Sequence, residues 1–479
     1  MDASPHDNLR HELRAGLRES LKAALKAKDR RAAGALRSAL AAVDNAEAVP
    51  AGEPLGGDTG GEHVAGAAAG LGATEARRRE LTGADVRAVV ENEVRERRAA
   101  ALEYERLGRA DAAERLRAEA DVLDRHLEPG IRLPPPSGPR PVGVITTHLV
   151  DTSRPDPWEP SAGSRELMVS VFHPAASSAS GEPGMYLTAA ESRAVLAEAG
   201  IDGIPGDVLS TVRGHAIPGA EPWGERETLP LVVLSPGFKR PRATLTSLAE
   251  DLASHEYVVA VVDHTYENVA TTFPDGRVAG CAACGKYDPG FWRKLRRGRA
   301  ADVSFVLDEL TSGSTAWSGA GLIDPSRIAM AGHSAGGASV IPAMLGDSRI
   351  TAGVDIDGTT GDLRPGQELS RPFLFLGRQN TYAPGTPGGA AETWEHDWPL
   401  LTGWKRWLVV AGMAHPSFTD LGIIGERLGL DFAAAAPALR GAAITRACVR
   451  AFLDLHLRGT PQPLLSAPVP EFPEVVLVG

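Results

Sequence analysis

The run Gly332-His-Ser-Ala-Gly336 has the residue types that make an alcohol reactive. A short apolar stretch, Ile328 to Ala331, precedes it and the helix-forming Ala338 to Leu345 follow, so the segment reads as strand, tight turn, helix. In such a turn the central serine takes a strained backbone conformation that lifts its hydroxyl above the sheet edge. Small residues on either side let strand and helix approach closely. Ser334 is therefore the candidate nucleophile for acyl transfer, and the amide of Ala335 points at the same space.

A serine hydroxyl is essentially un-ionised near neutral pH and needs a base that is itself oriented. With a serine in this kind of turn the chain order is Ser, acid, His, which leaves His396, His415 and His456. His456 lies in the helical run Ala442 to Leu457 and is expected at the surface. His396 sits in Trp394-Glu-His-Asp-Trp398, which reads as an aromatic surface segment. His415 comes just after the apolar strand Trp407 to Val410, at a strand's carboxyl end, and is the candidate base.

Two strand ends compete for the acid. Ala352-Gly-Val-Asp-Ile-Asp357 ends in a carboxylate followed by Gly358, with Asp355 two positions deeper on the same face. The next strand, Pro372 to Leu376, leads only to Asn380, and an amide cannot stabilise an imidazolium as a carboxylate does. Asp357 is the first choice and Asp355 the alternative. The oxyanion formed on attack needs two backbone donors. Ala335 supplies one, and the turn after Val232-Val-Leu-Ser-Pro-Gly237 supplies the amide of Phe238.

These residues require a scaffold of alternating strands and helices. A strand at Leu229 to Gly237, ending in a turn, and strands at Tyr257 to Val262, Ile328 to Ala331, Gly353 to Ile356, Pro372 to Leu376 and Trp407 to Val410 alternate with helical stretches at Ala243 to His255, Arg293 to Leu310 and Ala335 to Leu345. That pattern predicts an α/β fold: a mostly parallel sheet covered by helices on both faces, with chemistry at the carboxyl ends of its strands. Val142 to Leu149 and Glu166 to Phe172 open it as an antiparallel pair, and a helical run around Ala189 to Ala199 has no place fixed by the sequence.

At 479 residues the chain exceeds what one core serves, and two domains are expected. Before the sheet, Leu9, Leu13, Leu17, Leu21 and Leu25 stripe a first helix, and Asp29 caps a second carrying Leu36, Leu40 and Val43. Thr82 and Asp85 form a capping box for a third, and Leu116, Leu123 and Leu127 mark a fourth. Residues 1–127 thus read as a small all-α domain, interrupted by a Gly/Ala/Pro-rich stretch from Val49 to Thr74. Residues 128–141 read as a stiff proline-rich linker, and 142–479 as the α/β domain.

A net charge of −11 disfavours general affinity for nucleic acid and for anionic membranes. The N-terminus has no secretory pattern and no apolar run is long enough to span a bilayer, so a cytoplasmic address is expected. Three cysteines cannot make a disulfide framework. Cys281 and Cys284 form a C-x-x-C in a surface loop, open to a reversible disulfide or a partial metal site, and Cys448 reads as core. No cofactor or metal is expected at the serine site.

Two resemblances extend this reading. Leu21-Lys-Ala-Ala-Leu-Lys-Ala-Lys-Asp29, Leu36-Arg-Ser-Ala-Leu-Ala-Ala-Val-Asp-Asn45 and Arg97-Arg-Ala-Ala-Ala-Leu-Glu-Tyr-Glu105 make residues 8 to 127 similar to the YqeY family, related to the tail domain of the GatB subunit of the tRNA-dependent amidotransferase. That resemblance implies Lys22, Lys26, Lys28, Arg30 and Arg31 as an RNA-contacting face, although acids and bases nearly balance across the module.

Residues 142 to 460 resemble the platelet-activating factor acetylhydrolases within the α/β-hydrolases. The resemblance is carried by Pro230-Leu-Val-Val-Leu-Ser-Pro-Gly237, Leu248-Ala-Glu-Asp-Leu-Ala-Ser-His-Glu-Tyr-Val-Val-Ala260, Gly332-His-Ser-Ala-Gly-Gly337, the Asp357 strand end and His415-Pro-Ser-Phe418. It implies cofactor-free hydrolysis of short or oxidised acyl esters, with Ser334, Asp357 and His415 as triad and Phe238 and Ala335 as oxyanion donors. Pro236 stands where that family commonly has a histidine, and its secreted members lack the helical module. Cutinase-like polyesterases are the near alternative; they carry a carboxylate where this chain has Asn380. An adaptor with a weakly active hydrolase half, or a lipase acting at lipid surfaces, would be the other classes of reading.

Overall fold

The computed structural model describes residues 5–26, 28–48, 81–127, 131–202, 204–311, 317–361 and 363–478. The Gly/Ala/Pro-rich stretch from Val49 to Thr74 lies outside them. The chain divides into two compact units, Met1–Pro129 and Gly130–Gly479.

Four helices build the first unit: α1 (Pro5–Lys26), α2 (Arg30–Glu47), α3 (Gly83–Arg106) and α4 (Ala110–Leu127). Their caps are those expected from sequence. The Asp29 carboxylate accepts from the Ala32 amide at 2.9 Å, and Thr82 and Asp85 exchange bonds in a capping box. Each satisfies backbone donors that a helix start leaves unpaired, worth on the order of 1 kcal/mol. The apolar stripes meet in one core around Leu17, Leu36, Val43, Val86, Val90 and Leu123. Lys22, Lys26, Lys28, Arg30 and Arg31 are exposed.

The second unit is organised on a sheet whose strands are β1 (Val142–Pro155), β2 (Ser164–Pro174), β3 (Ile217–Pro218), β4 (Leu229–Ser235), β5 (Val258–His264), β8 (Ile323–His333), β9 (Ile350–Ile356), β10 (Phe373–Arg378), β11 (Lys405–Val410) and β12 (Val475–Leu477). A separate hairpin pairs β6 (Thr271–Thr272) with β7 (Val278–Ala279). The order across the large sheet is β12-β11-β10-β9-β8-β4-β5-β2-β1-β3. Strands β5, β4, β8, β9, β10 and β11 run parallel, while β2, β1 and β12 supply antiparallel edges.

The helices of this unit are α5 (Ala189–Glu198), α6 (Thr246–Ser254), α7 (Phe291–Thr311), α8 (Ala335–Ala338), α9 (Val340–Gly346), α10 (Gln379–Tyr382), α11 (Ala390–Asp397), α12 (Asp420–Arg427) and α13 (Ala438–Arg458). Because strand side chains alternate, Val232, Leu234, Val259 and Val261 pack with α6 and α13 on one face. Leu231, Val233, Val258 and Ala260 pack with α7 and α9 on the other. Both faces are dry, which is why these strands read as unbroken apolar runs.

Two local expectations are corrected, and a third gains detail. His456 is not a surface residue: its ring packs on Trp404 at 4.3 Å and Phe452 at 4.7 Å between centroids, and burial lowers its pKa to about 4. Trp394 is fully buried, stacked on Tyr382 at 4.0 Å and Phe375 at 4.4 Å, so only the His396 side of α11 faces solvent. The helical period turns residues two apart onto opposite sides, which a reading of the segment as a uniform aromatic patch overlooks. The proline-rich segment is extended but bound: Leu133 is buried, the Ser137 amide donates to Asp251, and Arg446 donates to the carbonyls of Pro134 and Pro135. Cys448 is core, as expected.

Candidate active site

Ser334 stands at the end of β8 with φ 57° and ψ −121°, a conformation costly for any residue with a Cβ. The surroundings hold it there: its amide donates to the Ile356 carbonyl at 2.8 Å and its carbonyl accepts from the Ala338 amide at 2.9 Å. The glycines around it are required by contact. A Cβ on Gly332 would overlap the Gly336 backbone, one on Gly336 the Ser235 carbonyl, and one on Gly337 the Asp355 carboxylate. Three segments of backbone meet with no room for a methyl group.

Asp357 ends β9, also in a positive-φ conformation of 57°, and its carboxylate is buried. Oδ1 accepts from the Arg378 amide at 2.9 Å, Oδ2 lies 2.7 Å from Arg378 Nε, and Oδ2 is hydrogen-bonded to His415 Nδ1. Asp355 has no such role. It is enclosed by Gly337 and Gly358, accepts from the Gly358 amide at 2.9 Å, and burial pushes its pKa well above the usual carboxylate range. Of the two strand-end acids, Asp357 is the one that reaches the histidine. Asn380 is exposed on α10, and the partner that its strand end contributes is Arg378.

His415 opens a single 3-10 turn, His415–Phe418. Its ring lies 4.4 Å from that of His333, and its carbonyl accepts from His333 Nε2 at 3.0 Å. Burial and the neighbouring imidazole hold the His333 pKa well below the ordinary histidine value, so this ring is neutral and acts as a donor that pins the His415 loop. Among the described residues, His333, Asp357 and His415 form the one group with three metal-ligand atoms within 4.8 Å of one another. Two of them, Asp357 and His415, are already bonded to each other through Oδ2 and Nδ1, while His333 Nε2 is taken up by the His415 carbonyl.

Ser334 and His415 border two cavities in common. One, of about 200 Å³, is apolar and walled by Val195 and Leu196 of α5, Leu209, Phe238, Ile424 and Leu428. The other, of about 590 Å³, is lined by Trp292, Arg296, Thr359, Arg378 and Tyr382. The helix that had no assigned place thus covers the apolar cavity. Among the described residues neither the Ser334 hydroxyl nor His415 Nε2 has a protein hydrogen-bond partner, so the structure joins Asp357 to His415 but not His415 to Ser334. In ligand-free hydrolases that bond is often loose and tightens when substrate binds.

The amides of Phe238 and Ala335 likewise have no acceptor among the described residues. The turn carrying Phe238 is clamped on both sides. Arg299 of α7 donates to the Pro236 carbonyl, and the Lys239 amide donates to the Glu267 carbonyl at 3.0 Å. Arg299 Nε and Glu267 Oε2 close the ring at 2.7 Å, both fully buried. One step below, Ser235 Oγ is 2.9 Å from His264 Nε2, and His264 Nδ1 donates to Asp302 at 2.7 Å; Asp302 also pairs with the buried Arg165 at 2.6 Å.

A buried ion pair generally contributes little net stability, because desolvating each ion costs several kcal/mol. The network is therefore better explained by the position that it fixes. None of it was assigned from the sequence. One signal was available: Leu295, Arg299, Asp302 and Val306 share one inward stripe of α7, so two charges sit on an apolar face.

Cys281 and Cys284, left open by the sequence, form a disulfide with Cα atoms 5.3 Å apart. Cys281 packs in the same apolar cluster as Phe238 and Ala335.

Comparison with known proteins adds to this geometry. Residues 66–131 match the model of Yqey-like proteins, and residues 207–279 that of platelet-activating factor acetylhydrolase, isoform II. A probable 1-alkyl-2-acetylglycerophosphocholine esterase of Arthroderma benhamiae is 26% identical over 75% of this chain and 97% of its own length. The platelet-activating factor acetylhydrolase of Gallus gallus is 25% identical over 43% of this chain and 56% of its own. The solved structure of a ferulic acid esterase from Streptomyces cinnamoneus superposes with a TM-score of 0.65 at 43% identity, covering 73% of this chain and all of that one. Among the described residues no helix is long and apolar enough to cross a membrane. The chain is a carboxylic ester hydrolase that belongs to the α/β-hydrolase esterase family of the Streptomyces enzyme, akin to the platelet-activating factor acetylhydrolases and fused to a YqeY-like helical region.

Proposed function

We propose that the protein is a serine esterase acting on short-acyl carboxylic esters through an acyl-enzyme. The single observation that carries this is the buried Asp357 bonded to His415 at the rim of the same cavities that the strained Ser334 borders. Asp357 holds the Nδ1–H tautomer, which leaves Nε2 basic. His415 takes the proton of Ser334 as its oxygen attacks the ester carbonyl, and the amides of Phe238 and Ala335 stabilise the oxyanion. The same proton goes to the departing alcohol, and water then repeats the sequence on the acyl-enzyme. Along the chain, the division we propose is a helical domain through residue 127, a connecting segment 128–141 and the hydrolase domain from 142.

Support for a short acyl group comes from the apolar cavity of about 200 Å³, below the roughly 300 Å³ at which pockets for drug-sized ligands begin. One observation favours a second reading, esters of aromatic acids such as ferulic acid. Trp292 lines the larger cavity, and Phe238 packs edge-on against Trp292 at 5.7 Å and Tyr287 at 6.3 Å, a partly exposed aromatic rim.

A panel of p-nitrophenyl esters from acetate to laurate, run beside ethyl ferulate, tests both. The proposal expects kcat/KM to be greatest at two to four carbons and to fall by at least about tenfold beyond eight, as methylenes outgrow the cavity. Preference for ferulate would favour the second reading. A maximum at laurate, or no turnover of any ester, would overturn both.

A further inference from the structure

Helix α7 places Arg293, Lys294, Arg296, Arg297 and Arg299 within seven positions. Arg299 turns inward to the clamp. Arg296 lines the cavity shared by Ser334 and His415, and it also borders a second, open groove of about 990 Å³. The two spaces meet again at adjacent residues, Thr360 on the catalytic side and Gly361 in the groove. One substrate could therefore reach from the serine into the groove.

The groove is cationic. It is lined by Arg293 and Arg297 of α7, Arg154 from the end of β1, and Arg364. The carboxylates there are already engaged: Asp151 with Arg154 at 2.6 Å and Asp308 with Arg349 at 2.8 Å. Among the described residues, the side chains of Arg293, Arg297 and Arg364 have no ion-pair or hydrogen-bond partner. Unpaired guanidinium groups facing one concave surface repel each other, and a planar or tetrahedral oxyanion offers each of them two acceptors. In a chain of net charge −11, a local cationic groove beside the reactive serine is set against the overall field.

We infer that this groove is a subsite for an anionic group, phosphate, sulfate, sulfonate or carboxylate, on the arm of the ester that does not react. This inference deepens the serine-esterase reading and rests on it for the word substrate, while binding of an anion does not depend on it.

The test uses the full chain. Phenyl acetate is compared with 4-acetoxybenzenesulfonate, which carries the anion on the alcohol arm. p-Nitrophenyl butyrate is compared with mono-p-nitrophenyl glutarate, which carries it on the acyl arm. At low salt at least one anionic ester is expected to exceed its neutral counterpart in kcat/KM by about tenfold, what one charge-assisted hydrogen bond supplies, and the favoured pair identifies the arm. In Arg293→Ala/Arg297→Ala the ratio of anionic to neutral turnover should fall towards one, and 0.5 M salt should erode it in the native chain.

Calorimetric titration with sodium pyrophosphate gives a readout independent of catalysis: binding to the native chain, lost in the double variant. Equal turnover of charged and neutral esters, a ratio unchanged in the double variant, or no pyrophosphate binding would overturn the inference. Failure of every ester to turn over while pyrophosphate still binds would instead overturn the esterase mechanism.

Discussion

Asp357→Asn is expected to lower kcat for p-nitrophenyl acetate by about 10⁴-fold, the size of effect that this exchange has in an unrelated serine protease. The asparagine carbonyl could still accept the Arg378 amide that Oδ1 now accepts at 2.9 Å. Its NH₂ would then face His415 Nδ1 and make that nitrogen an acceptor. The proton would move to Nε2, the atom that must be bare to take the Ser334 proton.

Asp355→Asn is the control. Burial pushes the Asp355 pKa well above the usual carboxylate range, its carboxyl does not touch His415, and asparagine keeps an oxygen for the bond with the Gly358 amide. Its kcat should stay within a few fold. Steady-state kinetics on both variants, with thermal unfolding to verify folding, decides the matter. Equal losses in the two would mean that Asp357 has no special relation to the histidine.

Arg299→Met combined with Glu267→Gln is expected to lower kcat by about 10²-fold with KM within about twofold, because it loosens an oxyanion donor and leaves the substrate cavities intact. The single Arg299→Met variant would strand the Glu267 carboxylate, at a cost of about 3–5 kcal/mol, and would confound loss of function with loss of folding. The paired variant avoids this: methionine fills the space of the arginine stem, and glutamine keeps an oxygen for Trp158 Nε1, which now donates to Glu267 at 2.8 Å. A merely structural role would move the melting temperature and leave kcat of the folded fraction unchanged. A fall in kcat at constant KM identifies Arg299 and Glu267 as positioning residues for the Phe238 amide. Weaker inhibition by an acetyl-transition-state mimic such as a boronic acid should accompany it.

What the sequence made legible depended on how locally each feature is encoded. The strands around the site could be located because a doubly covered parallel sheet demands unbroken apolar runs, as at Leu229 to Ser235. Ser334 was marked by the glycines that crowding imposes on its neighbours, and Asp357 and His415 by their position just past strand ends. The helix caps at Asp29 and Thr82 were equally local.

The clamp was not legible, because its members come from residues 235, 236, 264, 267, 299 and 302 and meet only when β4, β5 and α7 are packed. Arg378 was missed for a related reason: the search at that strand end was for an acid, and the strand supplies the acid's counter-ion. His456 was misread because its neighbours Trp404 and Phe452 come together only when the end of α13 meets the turn before β11.

In the proposed mechanism Ser334 forms the covalent intermediate. Its most direct measurement is mass spectrometry of the full chain after reaction with a p-nitrophenyl phosphonate ester, followed by peptide mapping. One equivalent of adduct is predicted on the peptide carrying Gly332 to Gly337, at Ser334, with loss of esterase activity in the same proportion and no labelling of Ser334→Ala. Labelling at another residue, or full activity in a chain whose Ser334 is occupied or replaced, would contradict it.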